Sequence, residues 1–172
     1  MNKYLLCSVY IGLIVLANWS VGAFGPWITP INAFLLIGTD FVIRDRLNLS
    51  LNNTQVFSLI LVSALLTFLC NVAPTQIAVA SALSFLVSQL VDYIVFSLIS
   101  GKFAVKSFTS NVFGAAVDST LFPLIAFGVL MPEVSLLQFV CKVAGASVLL
   151  YIFIQCAARK EYEKYIASLT TE

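Results

Sequence analysis

Six apolar runs, each close to twenty residues long and separated by connectors of a few residues, take up most of this 172-residue chain. A helix of about 20 apolar residues matches the roughly 30 Å hydrocarbon layer of a bilayer. Inside that layer each backbone N–H and C=O must find a partner within the protein, which leaves helices and closed barrels as the spanning structures. The runs read as helices over residues 4–24, 29–47, 54–73, 75–99, 107–131 and 133–157. Pro26, Pro30, Pro74 and Pro132 stand at the leads of these runs, where a missing N–H costs nothing. The expected fold is all-α, a polytopic membrane bundle of six spans forming one domain over residues 1–157. A polar tail follows over residues 158–172.

Charge agrees with that reading. Only 10% of residues are charged, whereas a water-exposed domain carries about 25%. Nine basic and eight acidic residues leave no basic surface for nucleic acid. Lys3, the pair Arg44 and Arg46, the pair Lys102 and Lys106, and the group Arg159, Lys160 and Lys164 all fall on one side of a six-span zigzag. The opposite connectors hold only Glu133. The positive-inside rule then puts both termini in the cytoplasm. The run after Lys3 leads into further apolar runs, so it reads as the first span and not as a removed leader. Short connectors make successive helices antiparallel neighbours, and pairing of two such bundles as a homodimer is also open.

Catalytic and metal chemistry find little support. The four cysteines, Cys7, Cys70, Cys141 and Cys156, are far apart, and the chain has no histidine. That excludes the usual zinc ligand sets. No nucleophile–base pair or glycine-rich phosphate loop stands out, so the chain reads as no enzyme and as needing no cofactor.

Polar residues inside the runs carry the functional signal, because an ionisable group in a span costs about 2.5–3.5 kcal/mol on insertion scales. Asp40 and Arg44 stand four apart in the second run, on one helix face, and can pair. Gln89 and Asp92 share a face of the fourth run. Asn111 and Asp118 share a face of the fifth, with the small residues Gly114 and Ala115 between them. Lys142, early in the sixth run, needs an acid, with Asp92 or Asp118 as candidates. Asn32 in the second run and Trp19 late in the first complete the set. Each has a structural alternative: a salt bridge closing the bundle, a packing seam, or an interfacial tryptophan.

Three stretches carry a resemblance. ITPINAFLLIGTDFVIRDRL (residues 28–47), ASALSFLVSQLVDYIVF (80–96) and SNVFGAAVDSTLF (110–122) resemble, in that order, the second, fourth and fifth spans of the VUT-type queuosine-precursor transporter family. Gln89 departs from it, since that position is often glutamate there. The resemblance implies import of a 7-deazapurine, 7-cyano-7-deazaguanine or its aminomethyl relative, across the inner membrane. A carboxylate can accept the N1–H and amino donors of a guanine-like edge, and an amide can serve its acceptors. On that basis Asp92 with Gln89, and Asp118 with Asn111, are the expected base clamp. Asn32 joins them, and Trp19, Phe85, Tyr93 or Phe122 would stack on the ring. Asp40 and Arg44 would gate or couple, and Lys142 would neutralise a central acid. Two other readings stay open: the substrate-capturing subunit of an ATP-driven vitamin importer, and a structural membrane protein with no ligand.

Overall fold

The computed structural model describes residues 3–71 and 75–169. It is a bundle of six helical passes, with no strand among the described residues. We label them α1 (Lys3–Phe24), α2 (residues 26–48), α3 (Asn53–Leu69), α4 (Thr75–Leu98), α5 (Phe103–Phe127) and α6 (Pro132–Leu169). Val72, Ala73 and Pro74, at the expected junction of the third and fourth spans, lie outside the described residues, as do residues 170–172.

Local chemistry sets the ends. Asn52 caps α3 with its side chain, accepting from the Gln55 N–H at 2.9 Å, while the Gln55 side chain accepts from the Asn52 N–H at 3.2 Å. This reciprocal arrangement satisfies two donors that a helix start leaves over. Gly128 closes α5 at φ +73°, a conformation that suits glycine far better than residues with a Cβ. Pro123 sits inside α5, which a membrane helix tolerates when neighbouring helices cover the freed carbonyl.

Three corrections to the expected spans follow. The second is not one uniform helix. It opens with a 3₁₀ turn (Pro26–Ile28), continues as a helical turn (Thr29–Asn32), widens to a π-helical stretch (Ala33–Ile37) and closes as α-helix (Gly38–Asn48). The third stops at Leu69, leaving 17 residues. The sixth does not end at Ala157, because α6 runs on to Leu169 through the segment expected as a tail. Among the described residues, four helices are long and apolar enough to cross a membrane: Lys3–Val21, Thr75–Leu98, Phe103–Phe127 and Pro132–Lys160.

The bundle is polar inside and greasy outside. Leu61, Leu65 and Leu136 are exposed, while Ser63, Ser84, Ser88, Gln89, Asp92, Ser107 and Ser110 are buried. A water-soluble fold buries its leucines, so this inversion marks a surface that lipid covers. Many of the buried hydroxyls bond back to the carbonyl three or four residues earlier, as Ser63 does to Leu59 and Thr67 to Ser63. That satisfies them without a partner helix.

Apolar packing and close backbone contact hold the passes together. Leu6, Tyr10 and Ile14, one turn apart on α1, pack with Leu47, Ala64 and Phe85. Phe41, Ala115 and Ala146 form a second cluster joining α2, α5 and α6. Between α2 and α6 the backbones touch. A Cβ added to Gly145 would stand 2.0 Å from the Phe34 carbonyl oxygen, and one added to Gly38 would stand 2.7 Å from the backbone of Ala146. Small residues let membrane helices approach this closely. At the end away from the basic connectors, the Gln76 amide donates to the Ala126 carbonyl at 3.0 Å and ties α4 to α5.

Candidate functional site

Two polar clusters lie at different depths in the bundle. The first is built on Arg44, four residues from the end of α2 and 1% exposed. Its Nη1 donates to Gln89 Oε1 at 2.6 Å. Its Nη2 donates to Asn111 Oδ1 at 3.2 Å and to Asp45 Oδ1 at 3.3 Å, and pairs with Asp92. Asp45 also accepts from the Ser107 hydroxyl, and the Asn111 amide donates to that same hydroxyl oxygen at 3.3 Å. Tyr10 reaches Gln89 Oε1 at 3.5 Å. The guanidinium lies 4.9 Å from the Phe41 ring centre, a cation–π contact. One arginine thus fastens α2 to α4 and α5, and through Gln89 and Tyr10 to α1.

The pair expected between Asp40 and Arg44 does not form. Arg44 turns instead to acceptors on α4 and α5, which place a carboxylate and two amide oxygens around the two ends of the guanidinium fork. Asp40 is fully buried, and neither of its carboxyl oxygens has a hydrogen-bond partner. Gly114 explains the room for Asp92: a Cβ there would stand 3.1 Å from Asp92 Cβ and Oδ2. The small residues between Asn111 and Asp118 therefore make way for a carboxylate of this protein. Gly114→Ala is expected to push Asp92 off Arg44 and lower stability by about 1–3 kcal/mol, measured as unfolding in mixed detergent micelles. An unchanged midpoint would mean that Asp92 relaxes freely.

The second cluster is built on Lys142 of α6, 4% exposed. Its ammonium donates to Asp118 Oδ2 at 2.5 Å, and to Ser119 Oγ and Gln138 Oε1 at 3.3 Å each. Of the two acids expected as partners for Lys142, Asp118 is the one it meets. Asn111 and Asp118, expected as one half of a clamp, belong to different clusters. Seven residues of α5 separate them, about 10 Å of rise.

The second cluster faces open space. A cavity of about 170 Å³ is walled by all six helices, room for on the order of ten water-sized groups. Asp118, Lys142 and Gln138 line it on one side, Asn18 and Asn32 on another, and Phe85 and Phe122 supply aromatic walls. The π-helical stretch contributes Ala33 and Ile37, and such widened turns are frequent at functional sites. Asn32 is held by donation to the Ala17 carbonyl at 3.2 Å and to Ser20 Oγ at 2.7 Å. Gln89, Asp92 and Asn111 do not line the cavity. Trp19 is exposed on the outer side of α1, edge-on to Phe24, and Tyr93 packs on Phe57.

Sequence reasoning passed over Asp45, Tyr10, Ser107 and Gln138, and gave Asn18 no role. Gln138 had a signal, standing four residues before Lys142 on one face. Asp45 had none, because side chains at i and i+1 point apart on a helix. It reaches the Arg44 fork only through the guanidinium's length.

Comparison with the curated proteins and with the solved structures finds no match. The model of the family described as "Putative vitamin uptake transporter" matches residues 48–156. That segment runs from the end of α2 to well inside α6 and holds Gln89, Asp92, Asn111, Asp118 and Lys142. α1 and nearly all of α2 lie before it. It takes in more than half of a chain that folds as an apolar helical bundle around a polar interior, and the chain belongs to this vitamin uptake transporter family.

Proposed function

We propose that the cavity beside Lys142 and Asp118 binds a queuosine precursor, 7-cyano-7-deazaguanine or its aminomethyl relative, and that the chain imports it through the inner membrane with its basic end in the cytoplasm. The observation that carries this reading is the cavity's make-up. Two aromatic walls, Phe85 and Phe122, stand with three amides, one carboxylate and one ammonium. A flat heteroaromatic ring needs apolar faces and a rim of donors and acceptors, and this lining offers both. Asp118 is the acceptor for the ring's N–H donors. Asn32, Asn18 and Gln138 serve either role. In this reading Asp92 and Gln89, expected as clamp residues, hold the helices that shape the site.

The test is a thermal shift on the detergent-purified chain with 7-cyano-7-deazaguanine, guanine and adenine. A ligand that binds the folded state alone, present at 100 times its dissociation constant, stabilises it by about 2.7 kcal/mol. A shift confined to the deazaguanine and lost in Asp118→Asn is the expected result. A well-folded sample that no purine stabilises overturns the substrate assignment. A second reading, equally compatible with the family's description as a vitamin uptake transporter, is a capture subunit that works with a separate ATPase. Uptake by the chain alone in proteoliposomes excludes it.

A further inference from the structure

The Arg44 cluster holds more acid than base. Asp40, Asp45 and Asp92 are each fully buried, and Arg44 is the cation among them. Asp45 and Asp92 are engaged by the guanidinium. Asp40, one helical turn before Arg44, makes no hydrogen bond of good geometry on either oxygen, the Gln89 amide being the donor nearest to hand. The groups that face it are Tyr10 of α1, Arg44 of α2, and Asp92 and Gln89 of α4. α6 passes this stretch with Gly145 and Ala146, which carry no charge. A bare carboxylate in such a place is costly, and a buried group of this kind takes up a proton instead. The Arg44 Nε also has no partner. The same arginine therefore has an unused edge one turn from an unused acid.

We propose that Asp40 is a proton-binding site linked to a two-position switch of Arg44. With the proton on Asp40, the guanidinium holds Asp92 and Asn111, and α2 is fastened to α4 and α5, as seen here. When the Asp40 O–H bond breaks and the proton passes to water, the carboxylate left behind draws Arg44 into the i,i+4 pair that their spacing permits. Asp92 and Asn111 are then released, and this end of the bundle loosens so that water reaches the freed Asp92 carboxylate. A proton bound to one partner state shifts the balance between two discrete packings, which is how a proton gradient can drive a carrier. The inference rests on the transporter reading but not on the identity of the substrate.

The experiment is infrared difference spectroscopy of the full chain in liposomes, stepped from neutral to alkaline pH without any substrate. The expected result is a protonated-carboxyl C=O band at neutral pH that disappears in Asp40→Asn. Asn is a neutral stand-in for the protonated acid, so this variant is expected to fold and to keep α2 fastened. A band that survives in Asp40→Asn puts the proton on Asp45 or Asp92 and overturns the assignment. So does the lack of any such band in the folded wild-type chain, or an Asp40→Asn chain that does not fold. A band that changes when sodium replaces choline at constant pH would make a metal cation the ligand, and would overturn it too. None of these outcomes depends on deazapurine binding, so failure of the substrate reading shows separately, in the thermal shift.

Discussion

Arg44→Ala is expected to destabilise the bundle by about 3–5 kcal/mol, the range for removing one partner from a buried ion pair. Typical folding stabilities are about 5–15 kcal/mol, so most of the purified variant should aggregate or unfold in mild detergent. The size of the effect comes from what stays behind: Asp45 and Asp92, buried and without their cation. Arg44→Lys is expected to recover little. An ammonium is a single point charge, whereas the fork reaches Gln89, Asn111, Asp45 and Asp92 at once. Adding Asp92→Asn to Arg44→Ala should restore part of the loss, because the second change removes one stranded charge. The check is a double-mutant cycle of unfolding in mixed micelles, with a coupling of about 0.5–3 kcal/mol expected. Strict additivity would mean that the two groups do not share an energy.

Gly145→Ala is the second large effect. The added methyl would stand 2.0 Å from the Phe34 carbonyl oxygen, and no side-chain rotamer relieves a clash with backbone. Overpacking usually costs about 1–3 kcal/mol and occasionally more. A backbone clash of this depth belongs at the upper end, about 3 kcal/mol, with α6 pushed away from the π-helical stretch of α2. Gly12→Ala is the control, since a methyl there meets nothing within 4 Å. Replacing a mid-helix glycine at such a site should gain up to about 1 kcal/mol from helix propensity. Thermal unfolding of the two variants side by side reads the difference. Equal midpoints would show that α2 and α6 separate without cost.

These two sites also show where the sequence was legible. The six helices could be read because hydrocarbon length and backbone satisfaction leave few options. The inward placement of Asp40, Arg44, Gln89, Asp92, Asn111, Asp118 and Lys142 could be read because lipid tolerates such groups only in the interior. Their partners could not. The i,i+4 rule offered Asp40 to Arg44, but it knows only one helix. The winning acceptors came from α4 and α5, whose rotation about their axes no single-chain pattern reports. Likewise Asn111 and Asp118 share a face of α5, yet the face is longer than one site. Gly145 and Gly38 do not form a small-xxx-small motif, because the close contact pairs one glycine from each of two helices. The π-helical widening at residues 33–37 leaves no mark in composition.

α3 has a consequence for the lipid. At 17 residues it rises only about 25 Å, short of a hydrocarbon layer of roughly 30 Å. Its neighbours α4 and α5 are long enough to match that layer. A layer that fits α4 and α5 is about 5 Å taller than α3, a mismatch taken up by the chain that flanks the helix or by local thinning of the lipid, at a fraction of a kcal/mol for each ångström. Where the lipid takes it up, the membrane is thinner along this one flank. Acyl-chain length becomes a variable that acts on one side of the molecule, tightening or relaxing it like a gasket of uneven thickness.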